Sequence, residues 1–446
     1  MQKKALLAIL MVMCLILSSC ALIVKDEAVD AATEIIRLGD QVITKGQVDS
    51  AVNVQLANTA SLYSAYGMAY DPTSETAISD ARTSVVNAFK NNLVLAAKAK
   101  ELGLDQLTDE EKATAQTNAE TQYNSDKDYL KSSQLADSGL EGDALEAEAV
   151  KRMDALGATM DSYLTSATES LVRDKVRQYV IKDVTVTDEE LQTEYDSRVS
   201  ADQSKYAEDA NSWASAANNG TTLYYTPAGI RRVKQILIRF KSEDSTAISD
   251  AQAKVTEANS RVTAAQQVID DEAASEEDKA KAQADLEAAQ ADLTAANEAV
   301  TAARETAFAN IDADTDAVLE QLANGGDWDT LMAEKNEDPG MKSGVTAEKG
   351  YAVTEGMTSF DAAFVDAAMA LKSVGDISGK IRGDAYGYYI IRYEGDETEG
   401  PVALDDVKET IRSTLQSNKE TETYNSQLDQ WVSEASLKED LNALNQ

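Results

Sequence analysis

The chain has 446 residues, 43% of them hydrophobic, with 41 Lys and Arg against 78 Asp and Glu, a formal net charge of −37 and no histidine. Such a surface repels nucleic acid, whose binding sets Lys and Arg against phosphates, so no nucleic-acid partner is expected. Without imidazole, Ser-His-Asp and Cys-His catalysis are excluded, as is every metal site that depends on histidine, and no metal or cofactor is expected. The length suits two or three domains. With 5 Phe and 3 Trp, their cores must rest largely on Ala, Leu, Val and Ile.

At the N-terminus MQKK supplies positive charge, ALLAILMVMCLIL an apolar run, and LSSC follows directly. The run is short for a membrane span and reads as a secretory signal over 1–20. LSSC resembles a bacterial lipobox: Leu17, small Ser18 and Ser19, then Cys20. That resemblance implies diacylglycerol on the Cys20 thiol and cleavage that makes Cys20 the first mature residue. An ordinary signal peptide with an incidental cysteine is the alternative; Cys14, preceded by Met13, fits the motif less well. Processing leaves one cysteine, which excludes an internal disulfide even in an oxidising compartment. A lipid chain on an acidic body reads as a tether to the outer face of a membrane.

From about 33 to 226 the pattern is mostly helical. EIIRLGDQVITKGQVDSAV reads as two short strands, or a strand and turn, entering a helix. A longer helix is predicted over roughly 75–102, with Val85, Val86, Phe89 and Leu93 at helical spacing. Thr108 with Glu111, and Thr187 with Glu190, have the spacing of capping boxes. Pro227 and Pro401 follow turn-rich stretches and suggest boundaries near 227 and 400.

Residues 246–310 have a different texture. Ile248, Ala251, Val255, Ala258, Val262, Ala265 and Ile269 step alternately by three and four, and a second seam runs from Leu286 to Ala307. These are heptad seams. The acidic stretch DDEAASEEDK between them suits a turn, so an antiparallel coiled-coil hairpin is predicted. Arms of about 25 residues at about 1.5 Å each project roughly 35–40 Å.

With the hairpin set aside, its flanks form one small domain. RRVKQILIRF reads as a strand, TDAVLEQLANGGDWDTLMAEKNED (315–338) and SFDAAFVDAAMAL (359–371) as helices, and AYGYYIIRYEG as a buried strand. This order resembles the parvulin family of peptidyl-prolyl isomerases. YVIKDVTVTDEELQTEYDSRV resembles the segment just before that domain in PrsA-type extracellular foldase lipoproteins. The resemblance implies an α+β chain: a helical chaperone lobe over 21–226, a parvulin-like domain over 227–400 with an antiparallel sheet and flanking helices, and a C-terminal helix over 401–446 returning to the lobe. The long hairpin departs from the family pattern.

The resemblance also assigns site residues. The family pattern GYHII is here Gly387-Tyr388-Tyr389-Ile390-Ile391, and SHILV is Lys234-Gln235-Ile236-Leu237-Ile238. Tyr389 and Gln235 thus replace both family histidines. Asp338 matches the third polar position, and Phe360 and Phe364 match the pocket for the prolyl ring, one helical turn apart. The family's GWF is Gly350-Tyr351-Ala352, which puts Tyr351 on one wall. Arg239 shares the Gln235 face by strand alternation. The implied function is a membrane-anchored extracytoplasmic foldase acting on unfolded or partly folded secreted polypeptides, with weak or absent isomerase activity. Two alternatives stand: an active isomerase with a rewired site, and a surface scaffold or adhesin that uses the coiled-coil arm.

Overall fold

The computed structural model describes residues 27–445; the signal-like segment and Cys20 lie outside the described residues. It has two compact units, one holding the residues up to Thr185 together with those from Gln416 onward, the other Val186–Leu415. Among the described residues no helix is long and apolar enough to cross a membrane.

The first unit opens with α1 (Glu27–Ala31) and a hairpin of β1 (Glu34–Leu38) and β2 (Gln41–Thr44). Gly39 takes the tight turn at φ +59°, where a side chain would be strained. Helices α2 (Lys45–Ala65), α3 (Glu75–Glu101), α4 (Asp109–Ser133), α5 (Gly142–Ala155) and α6 (Met160–Ile181) follow. Both α2 and α4 start on reciprocal capping boxes, Thr44 with Gln47 and Thr108 with Glu111. Ile35 and Ile36 of the hairpin bury against Val48 and Val52 of α2 and Val85, Val86 and Leu93 of α3.

The second unit begins with α7 (Asp188–Tyr206), capped by Thr187 and Glu190, and α8 (Ala210–Asn218). Then come β3 (Tyr225–Thr226), β4 (Arg231–Arg239), α9 (Ser242–Asp270) and α10 (Glu276–Ala323). After α11 (Trp328–Lys335), α12 (Val345–Lys349), β5 (Tyr351–Val353) and α13 (Ala362–Ala370) run β6 (Ile381–Arg382), β7 (Gly387–Asp396) and β8 (Gly400–Pro401). The helix α14 (Leu404–Glu434) leaves this unit at Leu415, and β9 (Lys438–Glu439) pairs with β1 in the first. The fold class is α+β, mostly helical with small antiparallel sheets.

Strand order in the main sheet is β5-β4-β7-β6, antiparallel throughout. Alternation sends Val233, Leu237, Tyr389 and Ile391 to one face and Ile236, Ile238, Tyr388 and Ile390 to the other, and both faces are covered. The first face packs on α13 and also on Trp213 and Ala217 of α8, so this compact unit starts upstream of residue 227. On the second face lie Phe308 and Ile311 of α10 and Trp328 of α11.

Two helices read from the sequence differ in detail. The 315–338 helix breaks at Gly325, which sits at φ +83°, while a Cβ on Gly326 would lie 2.7 Å from the Gln321 carbonyl oxygen. The 359–371 helix starts only at Ala362, because the Asp361 carboxylate accepts from the Ala363 amide and caps it there. Phe360 therefore precedes the helix instead of sitting on its first turn.

Helices α9 and α10 pack antiparallel. Asn310 donates to Asp244 at 3.0 Å, and Arg261 pairs with Asp292 further along. The seam alanines Ala251, Ala258, Ala265, Ala289 and Ala296 are buried, as the heptad reading expects; Ala282, one turn before the second seam as read, is buried too, and the faces between them are solvated. The base of the arm belongs to the domain core through Ile248, Ala307 and Phe308. Beyond the base, seam residues bury only against each other. Replacing 255–299 by a short glycine-rich turn in the full chain is thus expected to leave the sheet unit folded, with its cooperative melt and near-UV signal retained. Loss of the sheet unit's transition would show that the outer arm supports the core.

Candidate functional site

Beyond β5, the free side of β4 is taken over by the loop that follows α11. The Leu237 amide donates to Asn336 Oδ1 at 2.9 Å, the Glu337 amide to the Leu237 carbonyl at 3.0 Å, and the Arg239 amide to Glu337 Oε2 at 2.6 Å. Asn336 Oδ1 also accepts from the Asp338 amide at 3.0 Å, which turns the chain so that Asp338 faces Gln235. A loop docked like a short extra strand aims the carboxylate.

Asp338 is 8% exposed and Gln235 6%. A buried carboxylate is costly unless hydrogen-bonded, and this one accepts from three donors. Oδ2 takes Gln235 Nε2 at 2.7 Å and the Tyr351 hydroxyl at 2.9 Å; Oδ1 takes the Gly340 amide at 2.9 Å. The donor to a carboxylate must be the amide NH₂, so the Gln235 side chain is oriented with Oε1 away from Asp338, where it has no partner. Gly340 is required at its position: a Cβ there would lie 2.0 Å from the Tyr351 hydroxyl oxygen. Burial first, and then the Asp338 charge, raise the Tyr351 hydroxyl above its ordinary pKa of 10.0, so it keeps its proton.

An apolar wall completes the site. Tyr351, Phe360, Phe364 and Tyr389 form a chain of ring contacts with centroids 5.0, 5.4 and 5.3 Å apart in that order. Phe364 is the floor at 2% exposed, whereas Phe360 is half-buried. Helix α13, which carries Phe364, is held at its C-terminus by Arg231, whose Nη1 reaches the carbonyls of Ala368, Met369 and Leu371 at 3.0, 3.0 and 2.8 Å. The Arg231 guanidinium lies 4.2 Å over the Tyr393 ring. Gly383 makes room for Tyr389, since a Cβ there would come within 2.3 Å of that ring.

These groups line one cleft of about 440 Å³, with Leu237, Arg239, Asp361 and Tyr386 among its other walls. Six of the residues assigned from the sequence, Gln235, Asp338, Tyr351, Phe360, Phe364 and Tyr389, meet here. Only three share the hydrogen-bond network: the Tyr389 hydroxyl, raised by burial and the nearby Asp361 charge, has no hydrogen-bond partner among the described residues. Cys20, the remaining assigned residue, is outside the described residues. Sequence reading missed Asn336, Gly340, Gly383 and Arg231. The Asn-Glu-Asp-Pro run at 336–339 was the available signal, because Asn and Asp before Pro mark a turn held by side-chain oxygens. Among the described residues no group of three or more Cys, Asp or Glu could hold a metal ion.

No family model matches the chain. It is 28% identical to a foldase protein PrsA of Clostridium botulinum over 123 residues, 27% of this chain and 35% of that protein. To a foldase protein PrsA of Clostridium perfringens it is 28% identical over 179 residues, 40% of this chain and 46% of that protein. The chain thus spans less than half the length of the curated relatives it matches. A solved SurA-like chaperone of Campylobacter jejuni, in a study of PEB4 and Cj1289, aligns at 16% identity over 78% of this chain and 94% of that one, with a TM-score of 0.23. The curated relatives bear out the resemblance to PrsA-type foldases.

Proposed function

We propose that this chain is an extracytoplasmic foldase, lipid-anchored through Cys20, whose first unit holds unfolded secreted polypeptides while the cleft of the second binds their prolyl segments. The aromatic chain from Tyr351 to Tyr389 beside a hydrogen-bonded carboxylate is the observation that carries this reading. The likeness to PrsA foldases supports the substrate class.

Rotation about an X–Pro bond faces a barrier of roughly 18–20 kcal/mol because the amide is conjugated. A protein lowers it by burying the prolyl ring and stabilising the twisted amide, without forming a covalent bond. This cleft supplies the first part. Asp338 is committed to three donors and offers no proton, and Gln235 spends its NH₂ on that carboxylate. The Tyr389 hydroxyl is an uncommitted donor on the aromatic wall, and the Arg239 guanidinium and Tyr386 hydroxyl also line the cleft. With no imidazole to exchange a proton and the Asp338–Gln235–Tyr351 network already committed, isomerase activity is low and binding dominates. The competing reading, a rewired active site, rests on the Tyr389 hydroxyl.

Catalysed isomerisation of a proline tetrapeptide is expected to be slow and nearly flat from about pH 5 to 8, because both site tyrosines stay protonated throughout. Phe364→Ala should weaken peptide binding because it removes the floor of the cleft, and as a change at a side chain already buried in the free protein it should also cost roughly 3–5 kcal/mol of stability. Tyr389→Phe should change binding far less. A fast wild-type rate abolished by Tyr389→Phe would establish the rewired isomerase instead.

Labelled palmitate should enter the full chain and be absent from Cys20→Ser; label retained in that variant would reject the anchor. The full chain should also suppress aggregation of an unfolded secreted protein, and Phe364→Ala should keep most of that effect. Complete loss in Phe364→Ala would place holding in the cleft rather than in the first unit.

A further inference from the structure

A second cleft, of about 260 Å³, lies wholly within the first unit. Its apolar lining comes from Ile43 of β2, Phe89, Leu93 and Ala96 of α3, and Val172 and Val176 of α6. Strand β2 flanks it at the edge of the small sheet, since the strand order is β2-β1-β9. Leu38 and Gln41 close a two-residue turn and Ile36 opposes Ile43, so the hydrogen-bonded pairs fall at Gln41 and Ile43. The N–H and C=O of Val42 therefore point away from β1, and among the described residues no strand pairs on that side. Edge strands are usually blunted by charge or proline. Here Gln41-Val42-Ile43-Thr44 has neither.

We propose that this edge and groove take an extended apolar peptide segment with basic flanks, added as a further strand beside β2 with alternate side chains directed onto α3. Backbone pairing at Val42 supplies register, and the Ile43–Phe89–Ala96 lining supplies preference for apolar side chains. Charge selects the flanks. Asp105 and Glu169 stand among the groove residues, Arg173 is ion-paired to Glu169 at 3.9 Å, and the whole chain carries −37. Lysine-flanked segments are attracted and glutamate-flanked ones repelled. This inference rests on the reading that the first unit holds clients, and it names where and by what chemistry.

The test uses the full chain and a fluorescent peptide of alternating Val and Leu, flanked by Lys or by Glu. Val42→Pro removes the outward N–H at an edge position that tolerates proline. Ala96→Glu sets a charge in the groove from an exposed helix position. Binding of the Lys-flanked peptide should fall by roughly threefold to tenfold in Val42→Pro and by at least about tenfold in Ala96→Glu. Both variants should keep the wild-type melt, and should Val42→Pro fail to fold, Ala96→Glu decides alone. A photocrosslinker on Ala96→Cys should join to the peptide. Unchanged binding in Ala96→Glu overturns the proposal, as does a crosslink only to the chain's own residues before Glu27. Aggregation suppression measured alongside separates the two claims. If it persists while the peptide ignores Ala96→Glu, the groove assignment falls and client holding stands; if wild type suppresses nothing, client holding falls.

Discussion

The carboxylate of Asp338 carries a charge in a place that is almost closed to water, and the second unit's cleft is arranged around meeting its need for donors. Removing a carboxylate from water costs several kcal/mol unless the lost hydration is replaced. Gln235 on β4, Tyr351 on β5 and the Gly340 amide replace it. Each lies on a different segment, so the one anion ties the sheet, its edge loop and the short turn after Pro339 together. Tyr351 then presents its ring to Phe360, and the aromatic wall follows from there. The apolar and polar halves of the cleft are coupled through this one residue.

The second constraint is a sheet buried on both faces. Tyr388 and Tyr389 are neighbours in sequence yet serve opposite layers: Tyr389 packs on Phe364 in the cleft, while Tyr388 packs on Phe308 and donates to Asp312 at 2.9 Å. Arg382 and Lys380 fasten the same side by pairing with Glu305 and with Asp312 and Asp316 of α10. The helix that supports the sheet is continuous with the second half of the arm, so arm and domain share one rigid element from Glu276 to Ala323.

Much of this was legible from the residues. Heptad steps of three and four gave the arm, capping boxes gave the starts of α4 and α7, and β-branched and aromatic runs gave β4 and β7. Local periodicity carries those signals. What it could not carry is contact between distant segments. Asn336 bridging two amides across the β4 edge, Arg231 gathering three carbonyls at the end of α13, and Gly340 and Gly383 yielding space to tyrosine rings all depend on tertiary approach. The late start of α13 was also hidden, because an Asp three residues into an apolar run reads as an interruption and not as a cap.

The claim that the cleft is a prolyl-binding site organised by a histidine-free anion is tested most directly at Gln235. Its side-chain NH₂ protons are held by Asp338 and border the cleft, so their resonances report on occupancy. The measurement is a titration of the labelled full chain with a short X–Pro peptide and with the same peptide carrying Ala in place of Pro. The account predicts saturable shifts of the Gln235 side-chain signals and of the Tyr351 and Phe360 amides with the proline peptide, and little response to the alanine one. Equal shifts with both peptides, or none at these residues, would contradict it.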